Sequence, residues 1–240
     1  QPNSRWYSGS GIYRDVNLWT GKDVYISHDK LRITTLSVND DMAVIEVCAQ
    51  LKNIIGHGLE AECLIEIKKD GQKTASDTQR VVFRSEQMQT VRVQIPIEHP
   101  KKWSPKQPAL YECHITTKFD DKICDEAVSN FGIRVLALDP VHGLQINGET
   151  VKLRGTCIHH DNGVIGAETF KEAEWYRCKR LKEAGFNAIR SAHHPMSRAM
   201  LDACDHIGML VMDELTDMWT IHKNNHDFAF SFLDEWQDMI

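Results

Sequence analysis

A chain of 240 residues with 42% apolar and 26% charged side chains has the composition of a folded globular protein, not of a disordered or fibrous one. The formal net charge of −6 comes with basic residues that never cluster beyond pairs such as Lys68-Lys69 and Lys101-Lys102, which argues against the basic face that a nucleic-acid partner needs. No apolar run approaches the roughly 20 residues required to span a bilayer, so no membrane partner is expected.

The first half reads as short strands joined by tight turns. Leu31–Val38 and Met42–Leu51 flank Asn39-Asp40, and Leu64–Ile67 runs into Asp70-Gly71, a pair that tolerates the positive φ of a two-residue hairpin. Thr90–Ile95 alternates apolar and polar residues, the period of a strand with one buried face. Lys101–Pro108 is proline-rich and reads as a rigid connection, after which Tyr111–Phe119 and Lys122–Val135 pair across Asp120-Asp121. About seven strands in roughly 115 residues, with no helical stretch, describe an immunoglobulin-like β-sandwich.

After Asp139-Pro140 the period changes. Leu144–Ile146 and Thr150–Arg154 flank Asn147-Gly148, a strong hairpin signal. Thr169-Phe-Lys-Glu172 has the spacing of a capping box, and the following helix gathers Phe170, Ala173, Cys178, Leu181 and Ala184 on one face, with Arg177 interrupting the stripe. Gly185 ends that helix before a short strand at Asn187–Arg190. Ser197 is the expected N-cap of a second helix over Arg198–Ile207, which Gly208 closes. Met209–Met212 is an all-apolar strand of the kind buried on both faces of a parallel sheet, and a third helix is expected from Phe228 to Ile240. Strands alternating with helices imply βαβ crossovers, and three parallel strands are fewer than the eight that close a barrel. The fold class is therefore multidomain: a sandwich over residues 21–138, then the first part of a (β/α)₈ TIM barrel over 139–240.

Several passages resemble glycoside hydrolase family 2, the group of β-galactosidases, β-glucuronidases and β-mannosidases. Ser8-Gly-Ser-Gly-Ile-Tyr-Arg-Asp-Val16 is similar to the closing strand of that family's N-terminal sugar-binding domain, which would occupy residues 1–20. Lys102–Tyr111 resembles its "WSP…P.LY" segment, and Phe131–Arg134 with Leu144–Gly155 its "FG.R … NG … LRG" passage into the barrel. Asn187–Pro195 is similar to the end of the second barrel strand, and Leu210–Glu214 to the third. The chain departs from the family at His194, where Tyr or Asn is commoner, and at Leu215-Thr216, where β-galactosidases often carry Ala and then an aromatic residue or Asn.

The resemblance implies retaining hydrolysis of terminal β-glycosidic bonds, with β-D-galactosides as first expectation and β-glucuronides or β-mannosides as alternatives. Leu153–Asp161 with Gly163 and Gly166-Ala167 carries the preference for galactosides. It also puts the acid/base glutamate at the end of the fourth barrel strand and the nucleophile at the seventh, so no catalytic residue is expected within this segment. Taken alone, the segment is expected to be inactive, a spacer or interaction module that self-associates through its open sheet edge; a homo-oligomer is left open for the parent. What it can supply is the rim of a sugar site, because active sites of such barrels lie at strand C-termini. The expected substrate-binding residues are His193, Asp161, His160, Trp219 and Asp217, with Arg190 and Glu214 in support. Trp219 is read as a stacking platform and Arg190 as half of an ion pair. Asp213 and Glu214 are adjacent in an extended segment, so their side chains diverge and cannot form the paired carboxylates of a retaining mechanism.

His159-His160 and His193-His194 invite a metal reading, but consecutive strand side chains diverge and no H-E-x-x-H helix occurs, so no metal ligands and no cofactor are expected here. A Mg²⁺ or Na⁺ ion in a full-length enzyme would draw its ligands from elsewhere. The seven cysteines (Cys48, Cys63, Cys113, Cys124, Cys157, Cys178 and Cys204) are odd in number, form no C-x-x-C pair and mostly occupy apolar patterns. They read as free thiols and favour a cytoplasmic location, with a disulfide inside the sandwich as the alternative.

Overall fold

The structure, a computed structural model, describes residues 11–84, 87–217 and 231–239. Its contacts divide the chain into two compact units, one of residues 17–151 and one of residues 1–16 with 152–240.

In the first unit, strand alternation is what buries the core. The strands are β1 (Val24–Ile26), β2 (Arg32–Val38), β3 (Met42–Asn53), β4 (Leu59–Lys69), β5 (Gln72–Phe83), β6 (Met88–Glu98), β7 (Tyr111–Phe119) and β8 (Lys122–Phe131). Strand β3 pairs with β6 on one side and with β2 and β1 in succession on the other, while the second sheet runs β5-β4-β7-β8; every pair is antiparallel. Ala43, Ile45, Val47, Ala49 and Leu51 from β3 are fully buried, as are Cys63, Ile65 and Ile67 from β4 and Ile115 from β7. Residues of the same strands one position out of phase meet solvent, so the two inner faces close one apolar core. The hairpin turns sit where the sequence places them, with Asp70, Asp120, Asp121 and Asn147 all at positive φ. The cysteines of the described residues are free thiols, and Cys63 and Cys113 are pushed up to about 12 by burial.

A small sheet follows, of β9 (Leu136–Asp139), β10 (Gly143–Ile146) and β11 (Glu149–Thr150), in the order β11-β10-β9. Its second hairpin strand is shorter than the expected Thr150–Arg154, because after Val151 the backbone turns to the second unit: Asn187 donates to Lys152 O and accepts from Arg154 N. The Asn147 amide donates to Trp103 O at 3.0 Å and accepts from Val135 N at 3.1 Å, tying the turn to the proline-rich connection. Trp103 is 1% exposed, its ring lies under the Arg134 guanidinium, and Gly132 passes it with no room for a side chain.

The second unit carries β12 (Gly155–Ile158), α1 (Lys171–Glu183), β13 (Ala188–Ser191), α2 (Arg198–Ile207) and β14 (Leu210–Met212). Strand β13 pairs in parallel with β12 and with β14, so the order strand, helix, strand, helix, strand is that of the opening of a (β/α)₈ barrel. Helix α2 is built as its sequence directs. Ser197 Oγ accepts from Met200 N, and Gly208 at φ +81° closes the helix by donating to Cys204 O. Met200, Ala203 and Cys204 face Cys178 and Ile189 in a second core.

Three expectations for this half are corrected. The capping box does not form: α1 begins at Lys171 with Phe170 at the N-cap and no side-chain cap, because Thr169 Oγ1 is taken by the Asn162 amide. Phe170 is exposed, and the inward face of α1 carries Glu174 beside Cys178. Strand β14 is buried at Met209 but leaves Met212 59% exposed, since it has only one described neighbour in its sheet. Of the expected third helix, the described part is one turn, α3 (Phe232–Glu235), continuing as a 3-10 turn to Met239.

An added methyl at Gly132 would lie 2.7 Å from Trp103 Cβ and 2.8 Å from its Cγ. Gly132→Ala is therefore expected to destabilise the sandwich unit by about 1–3 kcal/mol, the usual cost of overpacking a filled site. Denaturant unfolding followed by tryptophan fluorescence reads this directly, and an unchanged midpoint would contradict the close approach.

Candidate functional site

The parallel strands of the second unit deliver their polar residues at one end. Each strand is apolar through its buried length and turns polar as it leaves the sheet: His159, His160 and Asp161 after β12, His193 and His194 after β13, and Asp213, Glu214 and Asp217 after β14. Parallel register puts Ile158 beside Ser191 and Arg190 beside Met212, so the three sets emerge side by side.

At the centre stands Glu214. One carboxylate oxygen accepts from Arg190 Nε, and the other lies 2.9 Å from His193 Nδ1. The carboxylate is mostly shielded, at 17% exposure, and it holds the Arg190 guanidinium in its charged form, aided by Cys157 Sγ at 3.7 Å. An ionised carboxylate only accepts, so His193 Nδ1 carries the proton and faces Glu214, with Nε2 as the ring's other polar atom. Asp217 Oδ1 is 3.8 Å from the same Nδ1. Asp213 turns the other way, as expected for adjacent extended residues, and accepts from Met196 N at 2.9 Å, fixing the loop between β13 and α2.

The histidines pair across the strands. His159 and His193 have ring centroids 6.1 Å apart, and His160 meets His194 edge-on at 5.3 Å. His159 Nδ1 donates to Ala192 O, and Ser191 Oγ donates to His194 O, which locks the two loops together. The Ala192–His193 peptide is cis. Tyr13 stacks on His160 at 5.3 Å, and Arg14 donates to the carbonyls of Pro195 and Met196. His160 Nδ1 is buried with no hydrogen-bond partner among the described residues. Burial lowers the pKa of both His160 and His194, each further lowered by a neighbouring histidine.

The structure thus brings together His160, Asp161, Arg190, His193, Glu214 and Asp217 from the residues the sequence singles out, while Trp219 lies outside the described residues. The expected ion pair of Arg190 is with Glu214. Sequence reasoning passes over Tyr13 and Arg14, which carry no spacing signal linking them to residues so distant in the chain. It also passes over Arg177 as a supporting residue, although a cation on an apolar helix face is a signal in itself. The carboxylates present do not suit Mg²⁺ or Na⁺: Glu214 is engaged by two cationic or donor groups, Asp213 by a backbone amide, and no three His, Cys, Asp or Glu side chains converge as metal ligands among the described residues.

The sequence profile described as Glycosyl hydrolases family 2 matches residues 24–134, and that of Glycosyl hydrolases family 2, TIM barrel domain, matches residues 141–231. The chain is 33% identical, over 99% of its length, to the Beta-galactosidase BoGH2A of Bacteroides ovatus, of which it spans 28%. It is 32% identical over 98% of its length to a putative beta-glucuronidase of Formosa agariphila, spanning 22% of that protein. A crystal structure of a glycosyl hydrolase family 2 member from Bacteroides cellulosilyticus superposes with a TM-score of 0.89 at 36% identity, over 98% of this chain and 31% of that one. The chain therefore spans less than a third of the relatives it matches. Among the described residues, no helix is long and apolar enough to cross a membrane.

The lowered pKa values of His160 and His194 set a pH dependence. Both stay neutral in the folded state at pH values where the unfolded chain, near the ordinary imidazole value of about 6.5, already binds protons. The unfolded state then holds more protons, so stability rises with pH through that window and falls on acidification. Melting of the second unit is expected to move to lower temperature as the pH drops from about 7 to about 5.5, and His160→Asn is expected to flatten that slope. Calorimetry across this range checks it, and a transition that rises on acidification would contradict the burial of these rings.

Proposed function

We propose, given that the chain belongs to glycoside hydrolase family 2, that it forms part of the sugar-binding rim of an enzyme that hydrolyses terminal β-glycosidic bonds with retention, with β-D-galactosides as substrates. The observation that carries this reading is the array Arg190–Glu214–His193, with His160, Asp161 and Asp217 around it, at the strand ends where a (β/α)₈ barrel binds its substrate. Sugar hydroxyls need directional partners, and this rim is made of them.

Retention needs two carboxyl groups about 5–5.5 Å apart, one attacking the anomeric carbon and one moving the proton. Glu214 is held by Arg190 and His193, and Asp213 by Met196 N, so neither is placed as nucleophile or acid. The part assigned to these residues is binding and orientation; the two catalytic carboxyls belong to the remainder of a family-length enzyme. His193, with Nδ1–H held by Glu214, meets a sugar hydroxyl through Nε2. The neutral ring accepts there, and the imidazolium, stabilised by Glu214, donates.

A β-glucuronidase is the rival reading, since one relative is named so. A glucuronide adds a carboxylate to the sugar and calls for a cation to receive it. The guanidinium groups of the second unit nearest these loops are committed: Arg190 to Glu214, Arg14 to the carbonyls of Pro195 and Met196, and Arg177 to the loop after β12. That favours a neutral sugar. β-Mannosides remain the further alternative.

A family-length polypeptide carrying this chain is expected to release chromophore from a β-galactoside faster than from the matching β-glucuronide or β-mannoside. His193→Ala is expected to lower kcat/KM about 100-fold, the scale of losing one well-placed polar partner in the transition state. The 240-residue chain by itself is expected to give no turnover above a blank. A His193→Ala enzyme within threefold of the parent would remove the proposed role, and turnover by the isolated chain would overturn the assignment of the carboxyls.

A further inference from the structure

The loop after β12 carries His159, His160 and Asp161, yet its only regular structure is a three-residue 3-10 turn at Gly163–Ile165. A loop that presents side chains to a ligand needs its backbone held, because misplacement by about 1 Å can cost about 100-fold in rate. The hold comes from behind, from α1. Arg177 NH1 donates to Asp161 O at 3.0 Å and to Asn162 Oδ1 at 3.1 Å, and NH2 donates to His159 O at 2.9 Å. One guanidinium therefore grips three acceptors on the segment that flanks His160. Only a planar fork with fixed donor directions does this; an ammonium is a point charge that cannot span them.

A cation on the inward face of a helix needs a counter-charge, and one is provided. Glu174 lies one turn earlier, is 2% exposed, and places Oε2 at 3.5 Å from Arg177 NH1. That oxygen has no hydrogen-bond partner among the described residues, so Arg177 is what balances it. Leaving either charge buried alone is far costlier than keeping the pair. The same two residues break the apolar stripe of α1, which is why the stripe is imperfect.

We propose that Arg177, oriented by Glu174, is a positioning residue that sets the placement of His160 and Asp161 at the sugar rim by clamping the backbone between them. The clamp stands on geometry alone; its consequence for turnover rests on the function proposed above, and the two are tested separately.

The first measurement is amide hydrogen exchange on the 240-residue chain. Arg177→Met is expected to speed exchange in residues 159–166 about tenfold or more, with Arg177→Lys between Met and the parent, while amides of β3 in the other unit stay unchanged. Acceleration spread equally over α1, β13 and the loop would mean a general loss of stability and would overturn the clamp. The second measurement is kinetics of a family-length enzyme on a β-galactoside. Misplaced binding groups are expected to raise KM and to lower kcat/KM about 10- to 100-fold for Arg177→Met, with partial rescue by Lys. A variant with lower kcat and unchanged KM is merely less folded, and that result overturns the positioning role. If the parent enzyme is silent on every β-glycoside, the proposed function fails, while the exchange result still decides whether Arg177 holds the loop.

Discussion

Parallel pairing of β12, β13 and β14 is the constraint on which the candidate site rests. Antiparallel neighbours would send alternate strand ends to opposite edges of the sheet, scattering the histidines and carboxylates. Parallel neighbours send all of them to one edge, and the observed register decides which residues become partners. Arg190 sits beside Met212, two residues before Glu214, so the guanidinium and the carboxylate meet just past the ends of their strands. The crossovers that parallel pairing demands are α1 and α2, and these helices then become available to brace the loops from outside. Site and scaffold follow from one pairing choice.

Within that frame, nearly every charged group at the rim is already spoken for by another part of the protein. Glu214 joins β13 to the segment after β14, Asp213 joins that segment to the loop before α2, and Arg14 holds the same loop through its carbonyls. Such mutual satisfaction fits the cost of burying charge, since a shielded carboxylate without partners would draw protons instead. It also separates two kinds of acid. Carboxylates that hold other groups in place cannot also attack a substrate, so the abundance of Asp and Glu at these strand ends is organisation and not chemistry.

Much of this was legible because local chemistry and tertiary need agree. Hairpin turns at Asp70-Gly71, Asp120-Asp121 and Asn147-Gly148 demand positive φ, and residues that tolerate it stand there. Strand alternation names the buried residues of β3 almost one by one, and Ser197 and Gly208 bracket α2 because caps are local. Three separate family resemblances, at Trp103, at Phe131–Arg134 and at Asn147-Gly148, turn out to be one packed contact, in which Gly132 makes room for the indole and Asn147 fastens its backbone. Residues far apart in sequence share a motif when they share a cavity.

The failures all occur where a distant group competes for a local one. Thr169 and Glu172 have the spacing of a capping box, but the Asn162 amide reaches Thr169 first, and the helix starts one residue later than the box requires. Phe170 then falls outside the buried face, and Glu174 and Arg177 take inward positions that helical periodicity assigns to apolar residues. No rule of local propensity places an ion pair there. It is intelligible only from the other side, as the counter-structure of a loop whose carbonyls point at the helix. A break in an amphipathic pattern is thus informative in proportion to how expensive it is. An exposed lysine in such a stripe would mean little, whereas a shielded arginine with a buried glutamate beside it marks backbone elsewhere that has to be held still.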